Sequence, residues 1–276
     1  MAIDLPAAQS QPRRENVRKL KIVARAATCQ FPGRKQLVTA FYNVNLEVYE
    51  GEFVCLVGPS GCGKSTFLRV VAGLLPATAG EVKVYPGGNN KPLNNMVFQE
   101  YAIFPWKTTL QNVAFGLQMR GISSKERTEI ARHWLAKVGL TKFEQTYPTQ
   151  LSGGMRQRVG IARAFANDPE VLLMDEPLGA LDAQTKLVLQ EELLQLWEEQ
   201  RKTVLYVTHS LDEAVLLGDR VVLMTAHPGT IKQTFPVDFP RPRSLELTSR
   251  PEFGQQTYAI WQALQSEVKR AMQEQS

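Results

Sequence analysis

Short apolar runs recur along the chain and are separated by segments with helical periodicity. Val44, Leu46 and Val48 alternate with polar residues, which predicts a strand with one buried face over 44–48. Runs of the length and apolarity expected of buried strands are Phe53–Val57, 171–174, Thr203–Val207 and 221–224, with 22–24 as a shorter candidate. Residues 85–95 are rich in glycine, asparagine and proline, so we expect a loop there.

Helical patterns fill much of the space between these strands. A helix is predicted from Ser65, and residues 110–142 are predicted to be largely helical, with a capping-box pattern at Ser123 and Glu126. The apolar side of that region is formed by Ile130, Trp134, Leu135 and Val138. Further helices are predicted from near Ser152, over 185–200 and from about Phe253. Strands alternating with helices predict an α/β fold whose mainly parallel sheet is covered on both faces.

Length and composition allow one large domain or two closely joined subdomains, since the 276 residues are 43% hydrophobic and 21% charged. Residues 1–20 are predicted to be a flexible arm, 21–240 the main domain, and 241–276 a tail that includes the terminal helix. The net charge of +5 is compatible with ATP binding, an anionic membrane surface or nucleic acid, and most basic residues are scattered.

Cysteine usage and hydropathy indicate the compartment. Cys29, Cys55 and Cys62 show no paired spacing for metal ligands, and free thiols in a reducing compartment are the simplest interpretation. No apolar run approaches the roughly 20 residues that span a bilayer, and residues 7–21 lack the apolar core of a signal peptide. We therefore expect a soluble intracellular protein whose membrane role depends on a partner.

A glycine-rich segment between a predicted strand and a predicted helix carries the strongest chemical signal. It fits the phosphate-binding pattern G-x-x-x-x-G-K-[ST] and comprises Gly58, Pro59, Ser60, Gly61, Cys62, Gly63, Lys64, Ser65 and Thr66. The glycines allow backbone N–H groups to surround a phosphate, and the helix N-terminus adds its positive dipole end. Lys64 is expected to reach the β- and γ-phosphates, and the Ser65 hydroxyl to ligate Mg²⁺.

Two adjacent carboxylates end a second apolar strand, over 171–174. If this strand lies beside the strand of the phosphate loop, Asp175 is placed near the metal and Glu176 can polarise an attacking water. An acidic pair after a strand is by itself usually solvent-exposed. Its combination with a phosphate loop favours the catalytic interpretation and predicts a nucleotide phosphatase or kinase.

A third motif, Leu151 to Met155 with the sequence LSGGM, distinguishes among such proteins. Ser152 is a helix cap, and Gly153 and Gly154 expose backbone N–H groups, so the segment is a second anion site. Here the chain resembles the ATP-binding cassette (ABC) family over about residues 20–235. The resemblance implies a RecA-like parallel-sheet core, an N-terminal antiparallel β subdomain and an inserted helical subdomain at about 101–165. It also implies that the serine of one subunit faces the γ-phosphate of ATP held by another.

The same resemblance assigns further residues. Gln99 matches the glutamine loop, whose amide ligates Mg²⁺ beside Ser65 and Asp175. Asp182 matches a loop that communicates across the dimer, and His209 the histidine that contacts the γ-phosphate. The departures are Met155, where many members have glutamine, and Gly179, where many have serine, and neither removes a phosphate ligand or a carboxylate. His133 and His227 match no motif and are interpreted as surface residues.

Two assignments leave alternatives. Phe31 resembles the aromatic residue that stacks on adenine, although it could be a core residue and Phe41 or Tyr42 could take that place. Cys62 lies between backbone N–H groups and Lys64, which favours a thiolate with a lowered pKa, although it could simply be a small residue filling the loop.

Several stretches resemble one branch of importers, the ATPases for nitrate, bicarbonate, cyanate, taurine and alkanesulfonate uptake. They are 98–101, 104–106, 112–117, 209–214, 228–229 and 238–243. The resemblance implies an ATPase that uses ATP and Mg²⁺ to power import of a small anion. The alternatives are a non-transport ABC ATPase acting on nucleic acid or ribosomes and an exporter ATPase. The chain lacks the long coiled-coil insertion and the second cassette of the non-transport classes.

The resemblance also implies partners and a location. These are integral-membrane permease subunits, a second ATPase subunit in a homodimer or related heterodimer, and, indirectly, a periplasmic solute-binding protein, with no nucleic acid. The expected location is the cytoplasmic face of the bacterial inner membrane, as a peripheral protein.

Overall fold

The computed structural model of the chain describes residues 19–33, 36–88 and 90–274. The described strands are β1 (Leu20–Pro32), β2 (Leu37–Tyr49), β3 (Phe53–Val57), β4 (Ala79–Val84), β5 (Asn94–Val97), β6 (Val171–Asp175), β7 (Thr203–Val207), β8 (Arg220–Met224) and β9 (Ile231–Pro236). The described α-helices are α1 (Lys64–Val71), α2 (Thr109–Met119), α3 (Ser124–Lys137), α4 (Gly153–Ala166), α5 (Ala183–Gln200), α6 (Leu211–Leu217) and α7 (Pro251–Glu274). Most of the predicted N-terminal arm, up to residue 18, lies outside the described residues.

The strands form two sheets. In the larger, the order is β5-β6-β7-β3-β8-β9, and all neighbours are parallel except β8 and β9. The smaller sheet is antiparallel, with the order β2-β1-β4. This confirms the predicted α/β fold with a mainly parallel sheet and an N-terminal antiparallel sheet.

Alternation along β3 divides the core between the two faces of the large sheet. Phe53, Cys55 and Val57 pack into a cluster formed with α2 to α7. Val54 and Leu56 point to the opposite face, where α1 and the antiparallel sheet cover them. Each fully buried aliphatic side chain contributes about 1.5–3 kcal/mol to folding relative to exposure. The central strands β3, β6 and β7 are largely apolar because both faces of the sheet are buried.

Several predicted elements differ in extent from the structure. β1 and β2 are each 13 residues long, well beyond the predicted cores at 22–24 and 44–48. The predicted loop over 85–95 is wrong at its end, because β5 begins at Asn94. The helical region over 110–142 is divided between α2 and α3, where Gly121 adopts a left-handed backbone with φ of 76°. Ser123 caps α3 as expected, with its hydroxyl accepting from the Glu126 N–H.

The C-terminal segment packs on the main body of the protein. Phe253, Ile260 and Leu264 of α7 are buried in the same core as α6. The Arg243 guanidinium is 7% exposed and donates to five main-chain carbonyls. The acceptors are the carbonyls of Val215, Leu216, Gly218, Val237 and Phe239. The segment that leads into α7, and α7 itself, are therefore packed on the core.

Candidate active site

The carboxyl ends of four neighbouring parallel strands bring the candidate residues together. β3 runs into the phosphate loop, β6 ends at Asp175, β7 is followed by Thr208 and His209, and Gln99 lies two residues beyond the end of β5. Parallel strands end at one edge of a sheet, so segments distant in sequence meet there. A cavity of about 440 Å³ opens at this edge. Its lining comprises Phe31, Val38, Ala40, Ser60, Gly61, Gly63, Lys64, Ser65, Thr66, Gln99, Glu176, His209 and His227.

The phosphate loop has a backbone that requires glycine at one position in particular. Gly63 has a φ of 97°, and a Cβ atom there would lie 2.3 Å from the Ala40 carbonyl oxygen. Gly63 is also the N-cap of α1, so the first N–H groups of that helix face the cavity end of the loop. The loop therefore presents backbone donors where an anion is favoured.

Lys64 brings a buried positive charge to the same place. The residue is 4% exposed, and its Nζ donates to the carbonyl oxygens of Gly58 and Pro59, each at 2.8 Å. Gly58, Pro59 and Cys62 support the loop from behind and do not appear among the described residues that line the cavity. Nζ also lies 3.7 Å from Cys62 Sγ, so the ammonium contacts given by the described residues come from its own loop, and a phosphate is a stronger, charge-assisted acceptor.

Ser65 and Asp175 form an oxygen pair beside the loop. The Ser65 hydroxyl lies 2.7 Å from Asp175 Oδ1. Burial, together with the neighbouring Glu176 charge, raises the pKa of the Asp175 carboxyl despite its bond to Ser65. Hydroxyl and carboxylate oxygens suit Mg²⁺, and a cation offsets the cost of burying Asp175. The pair therefore fits a magnesium ion, although no group of three or more His, Cys, Asp or Glu residues with metal-site geometry occurs in the described residues.

Glu176 lies between two side chains that meet its carboxylate. Gln99 Nε2 donates to Glu176 Oε2 at 3.1 Å, and His209 Nε2 lies 2.6 Å from the same oxygen. Glu176 has a left-handed backbone with φ of 47°, a strained conformation for a glutamate, and its N–H donates to the Val207 carbonyl. The carboxylate is thus fixed in the wall of the cavity, one residue beyond Asp175, where it can accept a proton from water.

The motif around Ser152 lies elsewhere. Ser152 is exposed and caps α4, with its hydroxyl accepting from the Met155 N–H at 3.3 Å. A Cβ atom at Gly153 would lie 2.8 Å from the Tyr101 hydroxyl, and one at Gly154 would lie 2.7 Å from a Thr185 methyl carbon. Among the described residues, the cavity lining includes none of positions 152–154. These glycines allow close packing around the start of α4.

Asp182 is placed on the surface as the N-cap of α5. Its Oδ1 accepts from the Thr185 N–H at 3.0 Å, and this bond lowers the pKa of the carboxyl. Like positions 152–154, Asp182 is not among the described residues that line the cavity.

Comparison with known proteins identifies the family. The family model described as ABC transporter matches residues 41–179, which include the phosphate loop, the LSGGM motif and both carboxylates. This chain belongs to the ABC transporter family.

Three similar proteins support the assignment of the chain to this family. An uncharacterised ABC transporter ATP-binding protein of Methanocaldococcus jannaschii is 50% identical over 260 residues, covering 92% of this chain and 94% of the relative. A nitrate import ATP-binding protein of Synechocystis is 45% identical over 235 residues, covering 81% and 87%. An aliphatic sulfonates import ATP-binding protein of Bacillus cereus is 43% identical over 216 residues, covering 78% and 85%.

Solved structures agree with the fold of the cassette. A dimeric ABC transporter cassette matches with a TM-score of 0.70 at 34% identity, covering 79% of this chain and all of the other. A post-hydrolysis dimer bound to ADP and phosphate matches with the same TM-score at 33% identity. The chain is an ATPase of this family. No helix among residues 19–33, 36–88 and 90–274 has the length and apolarity to cross a membrane.

The aromatic assignments can now be compared in the cassette. Phe31 is partly buried and lines the cavity, whereas Phe41 is fully buried against Phe67 with ring centroids 5.4 Å apart. Tyr42 is 56% exposed and is not among the described residues that line the cavity. The geometry thus favours Phe31 over both alternatives.

His227 is exposed, as expected, yet it also lines the cavity. The sequence feature that could have indicated this position is its nearness to the Pro228-Gly229 motif.

The expectation of a lowered thiol pKa at Cys62 is wrong. Its side chain is fully buried, and burial raises the pKa of the thiol even though Lys64 acts in the opposite direction. The thiol lies against Gly58 on the inner side of the loop and does not face the cavity. The sequence shows the nearby positive charge but not the loss of water, which is the larger effect here. Cys62 is therefore a small packing residue in this cassette.

Proposed function

We propose that this chain is the ATP-hydrolysing subunit of an ABC importer for a small anion, such as nitrate, bicarbonate, cyanate or an organosulfonate. The observation that carries the hydrolytic part is the Glu176 carboxylate, held by Gln99 and His209 beside the phosphate loop. The similarity to nitrate and sulfonate import ATPases supports the importer part.

The site residues have distinct proposed roles. Lys64 and the loop N–H groups bind the phosphates, Phe31 contacts the base, and His209 contacts the γ-phosphate. Glu176 accepts the proton of the attacking water. Ser65, Asp175 and Gln99 hold Mg²⁺, which neutralises charge on the phosphates when bound.

The position of Ser152 supports a dimer as the working unit. An anion site at the start of α4, away from the chain's own cavity, suits ATP held by a second subunit. We propose that Ser152, Gly153, Gly154 and Asp182 act across the interface of two cassettes. ATP binding then shifts the pair toward a closed state and hydrolysis reopens it.

An open groove supports a permease contact on the proposed helical subdomain, residues 101–165. Its volume is about 790 Å³, and its lining includes Gln99, Tyr101 and Pro105. Trp106 beside it is 70% exposed, whereas Phe104 packs on Phe115 with ring centroids 4.6 Å apart. We propose that permease subunits bind here, holding the ATPase at the cytoplasmic face of the inner membrane and linking it indirectly to a periplasmic binding protein.

Reconstitution tests this function. The chain is purified with its permease subunits in proteoliposomes, with the binding protein inside or outside as orientation requires, and ATP-dependent uptake of labelled nitrate, bicarbonate and a sulfonate is measured. We expect uptake of one anion class, lost in Glu176→Gln. ATPase activity stimulated by nucleic acid or ribosomes, with no response to permease, would contradict the proposal.

A matched pair of tryptophans tests the groove. Trp106→Ala is expected to retain ATPase activity in isolation and to lose uptake. Trp261→Ala, which removes a 41% exposed tryptophan on α7, serves as the control. Equal uptake by both variants would exclude Trp106 from the permease contact.

A further inference from the structure

Glu213 is a buried acidic residue that the hydrolytic roles above do not use. It lies in the first turn of α6, is 2% exposed, and does not appear among the described residues lining the cavity. A buried carboxylate is costly unless several donors satisfy it. Its partners therefore show what it is placed to hold.

Three donors meet this carboxylate, one from β7, one from the loop after β7 and one from α5. Tyr206 in β7 donates its hydroxyl to Oε1 at 2.6 Å, and the Thr208 hydroxyl donates to Oε2. Lys186 Nζ in α5 lies 3.4 Å from Oε2. Burial and the neighbouring Glu213 raise the pKa of Tyr206 well above its ordinary value, so Tyr206 remains a donor.

The bond to Thr208 determines the turn that carries the histidine. Because the Thr208 hydroxyl gives its hydrogen to Glu213, its oxygen is free to accept, and it accepts from the Ser210 N–H at 3.0 Å. The Thr208 N–H is held in turn by the Leu56 carbonyl of β3. Both neighbours of His209 are thus fixed, with the histidine between them directed at Glu176.

This arrangement differs from ordinary helix capping. Ser210 and Glu213 have the spacing of a capping box, in which the glutamate would accept from the Ser210 N–H. The Ser210 hydroxyl does accept from the Glu213 N–H at 3.3 Å, but the reciprocal bond is replaced by the bond to Thr208. The carboxylate is directed inward, toward β7 and α5.

Lys186 connects the same carboxylate to the start of α5. Its N–H donates to the Asp182 carbonyl at 2.9 Å, so it lies one turn beyond the cap at Asp182. One side chain therefore touches both the histidine turn and the helix whose N-terminus is proposed to face the second subunit.

We propose that Glu213 is a positioning residue for ATP hydrolysis: it fixes the turn that holds His209 against Glu176 and joins that turn to the N-terminal end of α5. The inference rests on the hydrolytic roles proposed for Glu176 and His209. It assigns to Glu213 no contact with ATP, so its effect belongs to turnover and not to nucleotide affinity.

Steady-state kinetics of the complete chain test the inference. Glu213→Gln places an NH₂ donor where two donors now converge, so the turn loses its fixed geometry. We expect kcat to fall roughly tenfold to a hundredfold, the scale of an ångström-sized misplacement, while KM for ATP stays within about twofold. Asp212→Asn is the control, because it removes the same charge from the adjacent, exposed position. We expect its kcat to match that of the wild-type protein.

A second pair separates positioning from packing. Thr208→Val removes the bridging hydroxyl and is expected to reproduce the split between kcat and KM, which keeps the test valid if Glu213→Gln does not fold. Tyr206→Phe removes only the Oε1 partner and is expected to lower kcat no more than about threefold. If Glu213→Gln and Thr208→Val keep wild-type kcat, or if KM rises in step with the fall in kcat, the inference is wrong. Glu176→Gln distinguishes failure of the proposed function from failure of this inference. If Glu176→Gln is active, the proposed hydrolytic function is wrong. If Glu176→Gln is inactive and Glu213→Gln is active, only the role of Glu213 is wrong.

Discussion

The N-termini of α1 and α4 both favour anions through their free N–H groups, but the residues around them differ. Within the described residues no side chain caps the first turn of α1. The buried Lys64 and the Glu176 carboxylate line the same cavity as the start of this helix. At α4 the Ser152 hydroxyl caps the helix, the site is exposed, and no residue of positions 152–154 lines the cavity among those described. At the start of α1, the phosphate-binding and proposed catalytic groups come from the same chain. At the start of α4, backbone N–H donors are present without proposed catalytic groups beside them. Four experiments can break or sharpen this contrast.

The largest effect is expected from Glu176→Gln at the first site. The substitution keeps the shape and the Gln99 contact but removes the base, so turnover should fall about 10²–10⁴-fold. ATP affinity should be retained, and a closed dimer should accumulate, as measured by phosphate release and light scattering. Wild-type turnover would remove Glu176 from the role of base.

A nearly equal loss is expected from Ser152→Arg at the second site. The bulky side chain blocks the approach of a γ-phosphate from another subunit, and loss of such a preorganised donor site costs about 10²–10³-fold in turnover. Nucleotide binding by the single chain should be unchanged, because Ser152 is not among the described residues that line the cavity. Full hydrolysis by this variant with its permease would show that the two sites work independently.

Lys64→Ala is expected to act on binding. Losing a charge-assisted phosphate contact corresponds to about 1.5–3 kcal/mol, or roughly a ten- to hundredfold weaker Kd. Calorimetry with a non-hydrolysable ATP analogue measures this, with Lys107→Ala, an exchange on the helical subdomain, as the control. An unchanged Kd would contradict the assigned phosphate loop.

The smallest effect on activity is expected at Cys62. Because the thiol is buried and its pKa is raised, a maleimide should modify the native protein at less than about a tenth of the rate for the unfolded chain. Cys29 and Cys55 are buried too, so a cysteine introduced by Ser152→Cys should report the exposed site against a low background. Rapid loss of ATPase activity on maleimide modification of Cys62, prevented by ATP, would show that this thiol is accessible at the first site and contradict the prediction.

Sequence patterns predicted the central strands of the large sheet, whose side chains are buried. The strands β3, β6, β7 and β8 read as apolar runs because the sheet is covered on both faces. β4 and β9 were missed since most of their side chains are exposed or half-buried, which leaves no clear alternation. Their pairing depends on backbone hydrogen bonds to β1 and β8, which composition does not encode.

The candidate site was predicted where ordered motifs specify it, as the shared cavity of Lys64, Gln99, Glu176 and His209 shows. Properties of the site that depend on burial could not be predicted from the sequence. The direction of the Cys62 pKa shift depends on desolvation, and the inward turn of Glu213 depends on three elements that meet only in the folded chain.

The Arg243 guanidinium has a consequence for local opening of the chain. Its bonds to Val215, Leu216 and Gly218 satisfy carbonyls that a seven-residue helix leaves unpaired at its end. Burial and Arg241 lower the pKa of Arg243 to about 10, so the group stays charged at neutral pH. α6 therefore cannot fray from its C-terminal end without releasing the segment that leads to α7. In hydrogen exchange, the amides of α6 should open together with those near residue 243, as one cooperative unit.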